Sequence, residues 1–160
     1  MGARAHAHFS AWAAWQKGDV ARAERLLRES IRILAPLEDR ATLCESQRSL
    51  AQLLVEQDKL DEAERLALEA RHTVGPQDLT SLATTAMALG IVRAAQGRDE
   101  EAEQLLREAH ETVVETDHKR SQVETMFQLD KFLRARGRGD EATKLESFEL
   151  LAEVGFTPSS

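Results

Sequence analysis

The sequence predicts an all-α fold, a superhelical solenoid of four stacked antiparallel helix pairs. Three observations predict it. One short segment returns four times at an almost constant spacing. Apolar residues fall at helical intervals on both sides of that segment. The composition favours helices: 31% of residues are charged, only 4% are aromatic, tyrosine is absent and there are three prolines. A β-sandwich or barrel would want more aromatic and turn residues than these 160 positions supply.

The recurring segment reads Gly18-Asp19-Val20-Ala21-Arg22-Ala23-Glu24-Arg25-Leu26, then Asp58-Lys59-Leu60-Asp61-Glu62-Ala63-Glu64-Arg65-Leu66. It returns as Gly97-Arg98-Asp99-Glu100-Glu101-Ala102-Glu103-Gln104-Leu105, and more loosely as Gly137-Arg138-Gly139-Asp140-Glu141-Ala142-Thr143-Lys144-Leu145. Its alanines stand at 23, 63, 102 and 142, in steps of 40, 39 and 40 residues. A fixed period of this length marks a repeat architecture. After each turn the apolar residues follow helical spacing, as in Ala23, Leu26, Leu27, Ile31 and Leu34 or Ala102, Leu105, Leu106, Ala109 and Val113. Before each turn lies a second periodic stretch, such as Leu43, Leu50, Leu53 and Leu54.

Eight helices follow, over roughly 3–17, 19–35, 38–56, 59–74, 77–96, 98–115, 118–136 and 138–153. They group into units 3–37, 38–76, 77–116 and 117–153 of a single domain, 1–153, with 154–160 as a flexible tail. Gly18, Gly97 and Gly137 are expected to close first helices in the left-handed conformation. Asp19, Asp58 and Asp99 are expected to cap the second helices. Pro36 and Gly75-Pro76 fall between units, where a helix must stop. Gly90, inside a helical pattern, costs about 1 kcal/mol against alanine, which close helix packing offsets.

Charge and motifs narrow the function. Lys and Arg number 21 against 28 Asp and Glu, a net charge of −7 that offers no global attraction to nucleic acid or acidic lipid. The single cysteine, Cys44, excludes an internal disulfide framework and fits a reducing, cytoplasmic setting. No stretch reaches the ~20 apolar residues of a membrane span, and the amino terminus lacks the apolar core of a signal peptide. There is no phosphate-binding glycine loop, nucleophile elbow, zinc-protease motif or Cys/His framework. His6 and His8, two apart, point to different sides of a helix. Neither catalysis, a metal nor a cofactor is expected.

Leu89-Gly90, Gln96-Gly97 and Ala102-x-x-x-Leu106 give the third unit a pattern that resembles the tetratricopeptide repeat. The second unit matches through Leu50-Ala51, Leu54 and Ala63, and the first through Ala11, Gly18, Ala23 and Leu27. The fourth matches through Leu129, Leu133, Gly137 and Ala142 but departs at Asp130 and Glu146. The period exceeds the common 34 residues. With its long helices it is similar to a variant in bacterial signalling proteins, notably C-terminal helical arms of actinobacterial proteins that join a nucleotide cyclase to an ATPase.

The resemblance implies a right-handed superhelix and a non-catalytic scaffold for a protein or peptide partner, bound on a concave wall lined by the first helix of each pair. It places His8, Trp12, Trp15, Arg48, Gln52, Met87, Ile91, Phe127, Lys131 and Arg134 on that wall. The alternative is a regulatory or sensor arm of a larger signalling protein or transcriptional regulator. Trp12 and Trp15 leave two readings open: they cover the first core, or they form an aromatic edge for a partner or a second copy of the chain. Lys131, Arg134, Arg136 and Arg138 form a basic cluster at a helix end, where cations oppose the negative pole.

Overall fold

The computed structural model describes residues 10–143. Helix α1 covers residues 10–16, followed by α2 (Val20–Leu34), α3 (Arg40–Glu56), α4 (Leu60–Thr73), α5 (Leu79–Ala95), α6 (Asp99–Val113), α7 (Lys119–Ala135) and α8 (Gly139–Thr143). No strand occurs among the described residues. The expected beginning of the first helix, the rest of the eighth and the tail lie outside them, as does Glu146.

The turns inside the pairs follow the glycine pattern with one substitution. Gly18, Gly97 and Gly137 have φ of 79°, 77° and 73°. In the second pair Asp58 occupies that position at φ 59°, which a short polar side chain tolerates better than most. Asp58 therefore ends α3 and does not cap α4. Asp99 is likewise no cap: it is the first residue of α6, and its carboxylate accepts from Arg136 at 2.8 Å. Asp19 does cap α2, accepting from the Arg22 N–H at 3.2 Å. In α4 and α6 the first turns carry Asp61 and Glu62, and Asp99, Glu100 and Glu101, whose charges oppose the helix dipole without a side-chain cap.

A second set of caps was missed in the sequence, at the starts of the odd helices. Asp39 accepts from the Thr42 N–H and hydroxyl at 3.1 and 2.8 Å, and Asp78 from those of Ser81 at 3.0 and 2.6 Å. His118 takes the same role, its Nδ1 accepting from the Ser121 N–H at 3.3 Å. The three caps are again 39 and 40 residues apart.

Packing explains the layers. Helix α3 lies against α5 and α5 against α7, while α4 and α6 each pack on their own partner and on the next odd helix, α2 packs on α3 and α8 on α7. Among the described residues the even helices share no comparable contact with one another. The odd helices thus form a close inner layer and the even helices a looser outer one.

Ala11, Ala23, Ala51, Ala63, Ala102 and Ala142 are fully buried, small enough to bring helix axes together. One core cluster joins Ala11, Leu27, Leu54, Leu66, Leu89 and Val92, and a second joins Met87, Leu106, Leu129, Phe132 and Leu133. Helix α5 feeds both and is buried almost all round, without a break from Ala83 to Gly90. At Gly90 a Cβ would stand 3.0 Å from Leu106 Cγ and 3.3 Å from the Ala102 carbonyl oxygen. That is the close approach that offsets glycine's cost in a helix.

A polar clasp recurs along the turn edge. The glutamate after each repeat alanine reaches the next turn: Glu24 accepts from Gln57 at 2.9 Å, Glu64 from Gln96 at 2.6 Å and Glu103 from Arg138 at 2.6 Å. These hydrogen bonds hold all three carboxyls below their ordinary value of 4.5. Each clasp spans neighbouring repeats, which fits a solenoid whose cohesion is nearest-neighbour.

Candidate functional site

The period places the expected wall residues on three rungs of the inner layer. Arg48, Met87 and Phe127 form one; Trp12, Gln52, Ile91 and Lys131 the next; Trp15 and Arg134 belong to a third. His8, which would extend the first rung, lies outside the described residues.

These residues do not share one environment. Met87 is 1% exposed and belongs to the second core cluster, so it does not line an open surface. Its expected place on the wall is corrected by its burial. Arg48 has a side chain only 11% exposed. Its guanidinium donates to both carboxylate oxygens of Glu45 and to Gln52 Oε1 at 2.9 Å, and it lies 3.4 Å from Glu124 Oε2. Burial works against that charge, but Glu45 and Glu124 outweigh it and raise the pKa further above the usual arginine value. Ile91 and Phe127 are half-buried, and Lys131 is exposed.

The two tryptophans divide between the two readings. Trp15 is half-buried against the first core cluster, and its indole N–H donates to Glu56 Oε2 at 3.0 Å. Trp12 is 44% exposed, with the Arg120 guanidinium 5.6 Å from its ring centroid.

The basic cluster disperses into separate partners. Arg134 donates to Asp130 at 3.0 Å, Arg136 lies over the Phe132 ring at 4.0 Å and reaches Asp99, and Arg138 joins Glu103 and Glu141. Arg136 and Arg138 tie the last pair to α6, whereas Arg134 pairs within α7.

Glu45, Glu124 and Arg120 were missed as inner-face residues. A signal was present for the first two: Glu45 and Glu124 occupy the same repeat position, two periods apart, on the helical turn before Arg48 and Phe127. Arg120 had none, because its contact with Trp12 joins the first and last odd helices.

Cys44 is buried, its thiol donates to the Ala41 carbonyl at 3.2 Å, and burial pushes its pKa up, opposite to an activated nucleophile. Among the described residues no cluster of three or more His, Cys, Asp or Glu could hold a metal ion. No helix among them is long and apolar enough to cross a membrane.

Residues 82–118, which hold Gly90, the Gln96-Gly97 turn and Ala102, match the sequence profile of the tetratricopeptide repeat. That match spans one of the stacked helix pairs, α5 and α6. The stacked pairs on either side repeat the same helix–turn–helix geometry, and tetratricopeptide arrays are helical scaffolds for protein interaction. No curated protein matches the chain. Among solved structures it is similar to the crystal structure of BtubC (BKLC) from P. vanneervenii, with a TM-score of 0.66 and 17% identity. The match covers 96% of this chain and 65% of that one, so the chain spans about two thirds of its relative's length. At this identity the likeness establishes the tetratricopeptide-like solenoid fold.

Proposed function

We propose that the chain is a non-catalytic scaffold that binds a protein or peptide segment on the inner layer of odd helices. The observation that supports this reading is the continuity of that layer: α3, α5 and α7 pack side by side and present successive repeat positions on one face. Trp12, Phe127, Lys131 and Arg134, with Ile91 beside them, give that face a mixed apolar and basic character. Met87 is buried and takes no part in the face as it stands, and Arg48 and Gln52 contribute only through their existing pairing. A single domain of four units in a cytoplasmic setting belongs to the same proposal.

The two tryptophans test it, because their surroundings differ. Trp15→Ala is expected to lower stability by about 1–3 kcal/mol, less than a fully buried aromatic truncation. Trp12→Ala is expected to leave the melting temperature nearly unchanged while weakening partner binding or self-association. Circular dichroism melts, sedimentation velocity and affinity capture followed by titration of the purified partner measure all three. A Trp12→Ala/Lys131→Ala variant that retains full partner affinity would falsify the inner-face reading.

A further inference from the structure

We propose that this solenoid shuts its own inner face: Glu124 and Arg120 of α7 latch back across α5 onto Arg48 of α3 and Trp12 of α1, covering the inner surface of α5. Successive odd helices are packing neighbours, so α3 and α7 are separated by α5. Arg48 and Glu124 nevertheless approach to 3.4 Å. Arg120 reaches still further, to Trp12, three repeats away in the chain. Two contacts of different chemistry, an ion pair and a cation–π contact, therefore bridge over the same helix.

What lies beneath fits that bridge. Thr84 stands at the repeat position of Glu45 and Glu124, and Met87 at that of Arg48 and Phe127. On α3 and α7 these positions are half-buried, whereas Thr84 and Met87 are 2% and 1% exposed. Thr84 turns its hydroxyl to the Ser81 carbonyl of its own helix at 3.4 Å and leaves little side chain above the backbone. A small residue there, with longer charged ones on either side, gives the bridge room to pass.

The latch is built to release. Glu124 and Trp12 are both solvent-accessible, so each contact can part from its open end. When Glu124 leaves, Arg48 keeps Glu45 and Gln52, so no buried charge is stranded. Release would uncover Met87, a polarizable side chain suited to adaptable apolar contact. The use of that surface by a partner rests on the scaffold reading above; the occlusion itself does not.

Methionine footprinting of the full chain tests the latch without any partner. Dilute hydrogen peroxide oxidises accessible methionines, and peptide mass spectrometry separates Met87 from Met126, which is buried in α7. In Glu124→Gln/Arg120→Gln the Met87 oxidation rate is expected to rise roughly fivefold or more, with Met126 unchanged. Small-angle scattering should show a larger radius of gyration at unaltered helix content. In the wild type, a salt titration should move Met87 in the same direction, because ions screen the latch from its solvent-accessible Glu124 and Arg120 ends. Met87 protection that persists in the variant overturns the latch. So does an equal rise at Met87 and Met126, which would report loosening of the whole array. Loss of partner binding with a normal Met87 response would instead count against the scaffold reading alone.

Discussion

The second and third repeats reach the same backbone with different side chains at equivalent positions. In the third, Gly90 on α5 accepts the bulk of Leu106 on α6. One 39-residue step earlier, Ala51 and Ala67 stand at those two positions, both fully buried. A methyl has moved to the first helix and an isobutyl group has been cut to a methyl on the second. The turns differ in the same compensated way, with Gly97 at φ 77° against Asp58 at φ 59°. The outer face differs as well. Arg28 meets Glu62 at 2.6 Å and Arg107 meets Glu141 at 3.3 Å, but the corresponding residue of the second repeat is Leu68, which is exposed. Helix spacing in the solenoid is thus set by the joint size of facing residues, and single positions can drift if their partners drift with them.

The strongest test of that coupling is a double-mutant cycle in the third repeat. Leu106→Ala is expected to cost about 2–5 kcal/mol in urea denaturation, as a buried large-to-small change. Gly90→Ala should cost about 1–3 kcal/mol, because its methyl meets Leu106 and a backbone carbonyl, which outweighs the gain in helix propensity. Combined, the two create the Ala–Ala pair of the second repeat. Gly90→Ala should then turn neutral or stabilising, with a coupling energy of about 1 kcal/mol or more. Additive losses would break the comparison.

The turns come next in size. Gly97→Ala is expected to cost about 1 kcal/mol, since alanine resists positive φ. Asp58→Gly should stabilise by a few tenths to about 1 kcal/mol by relieving the same conformation. Thermal melts of both variants check the opposite signs.

A pH difference sharpens the contrast further. His110 in the third repeat occupies the position that Arg71 fills in the second. Burial lowers its pKa from the ordinary 6.5, so the folded state favours the neutral ring. Its stabilising share is present above pH 6.5 and is lost as the pH falls below that value, because the unfolded chain takes the proton more readily. His110→Gln is expected to flatten this part of the stability profile. A second loss, below about pH 4.5, should remain in the variant, since Glu64 and Glu103 are both held below their ordinary value by their clasps. Urea midpoints across that range separate the two. The smallest effect is expected from Leu68→Arg, which restores the outer-face cation opposite Glu101. An exposed pair of this kind should add no more than about 0.5 kcal/mol.

Much of the fold was legible because each decisive signal is local. The helices and the left-handed turns at Gly18, Gly97 and Gly137 follow from residues a few positions apart, and the period from the return of those short segments. The odd-helix caps were equally local, yet His118 hid the series by replacing aspartate with a ring nitrogen. The candidate face was legible in register only. Repeat spacing assigned Arg48, Met87 and Phe127 to one rung, and the structure gives its members unlike exposures.

The sequence by itself determined the repeat, its helices and which residues share a face, since a helix of 3.6 residues per turn and a fixed period dictate them. Only the tertiary structure decided how far that face is open. The approach of Arg48 to Glu124, and of Arg120 to Trp12, depends on the small rotation between neighbouring pairs accumulated over two or three repeats. That rotation arises from the packed sizes at interfaces such as Gly90–Leu106, so it is a property of the whole stack.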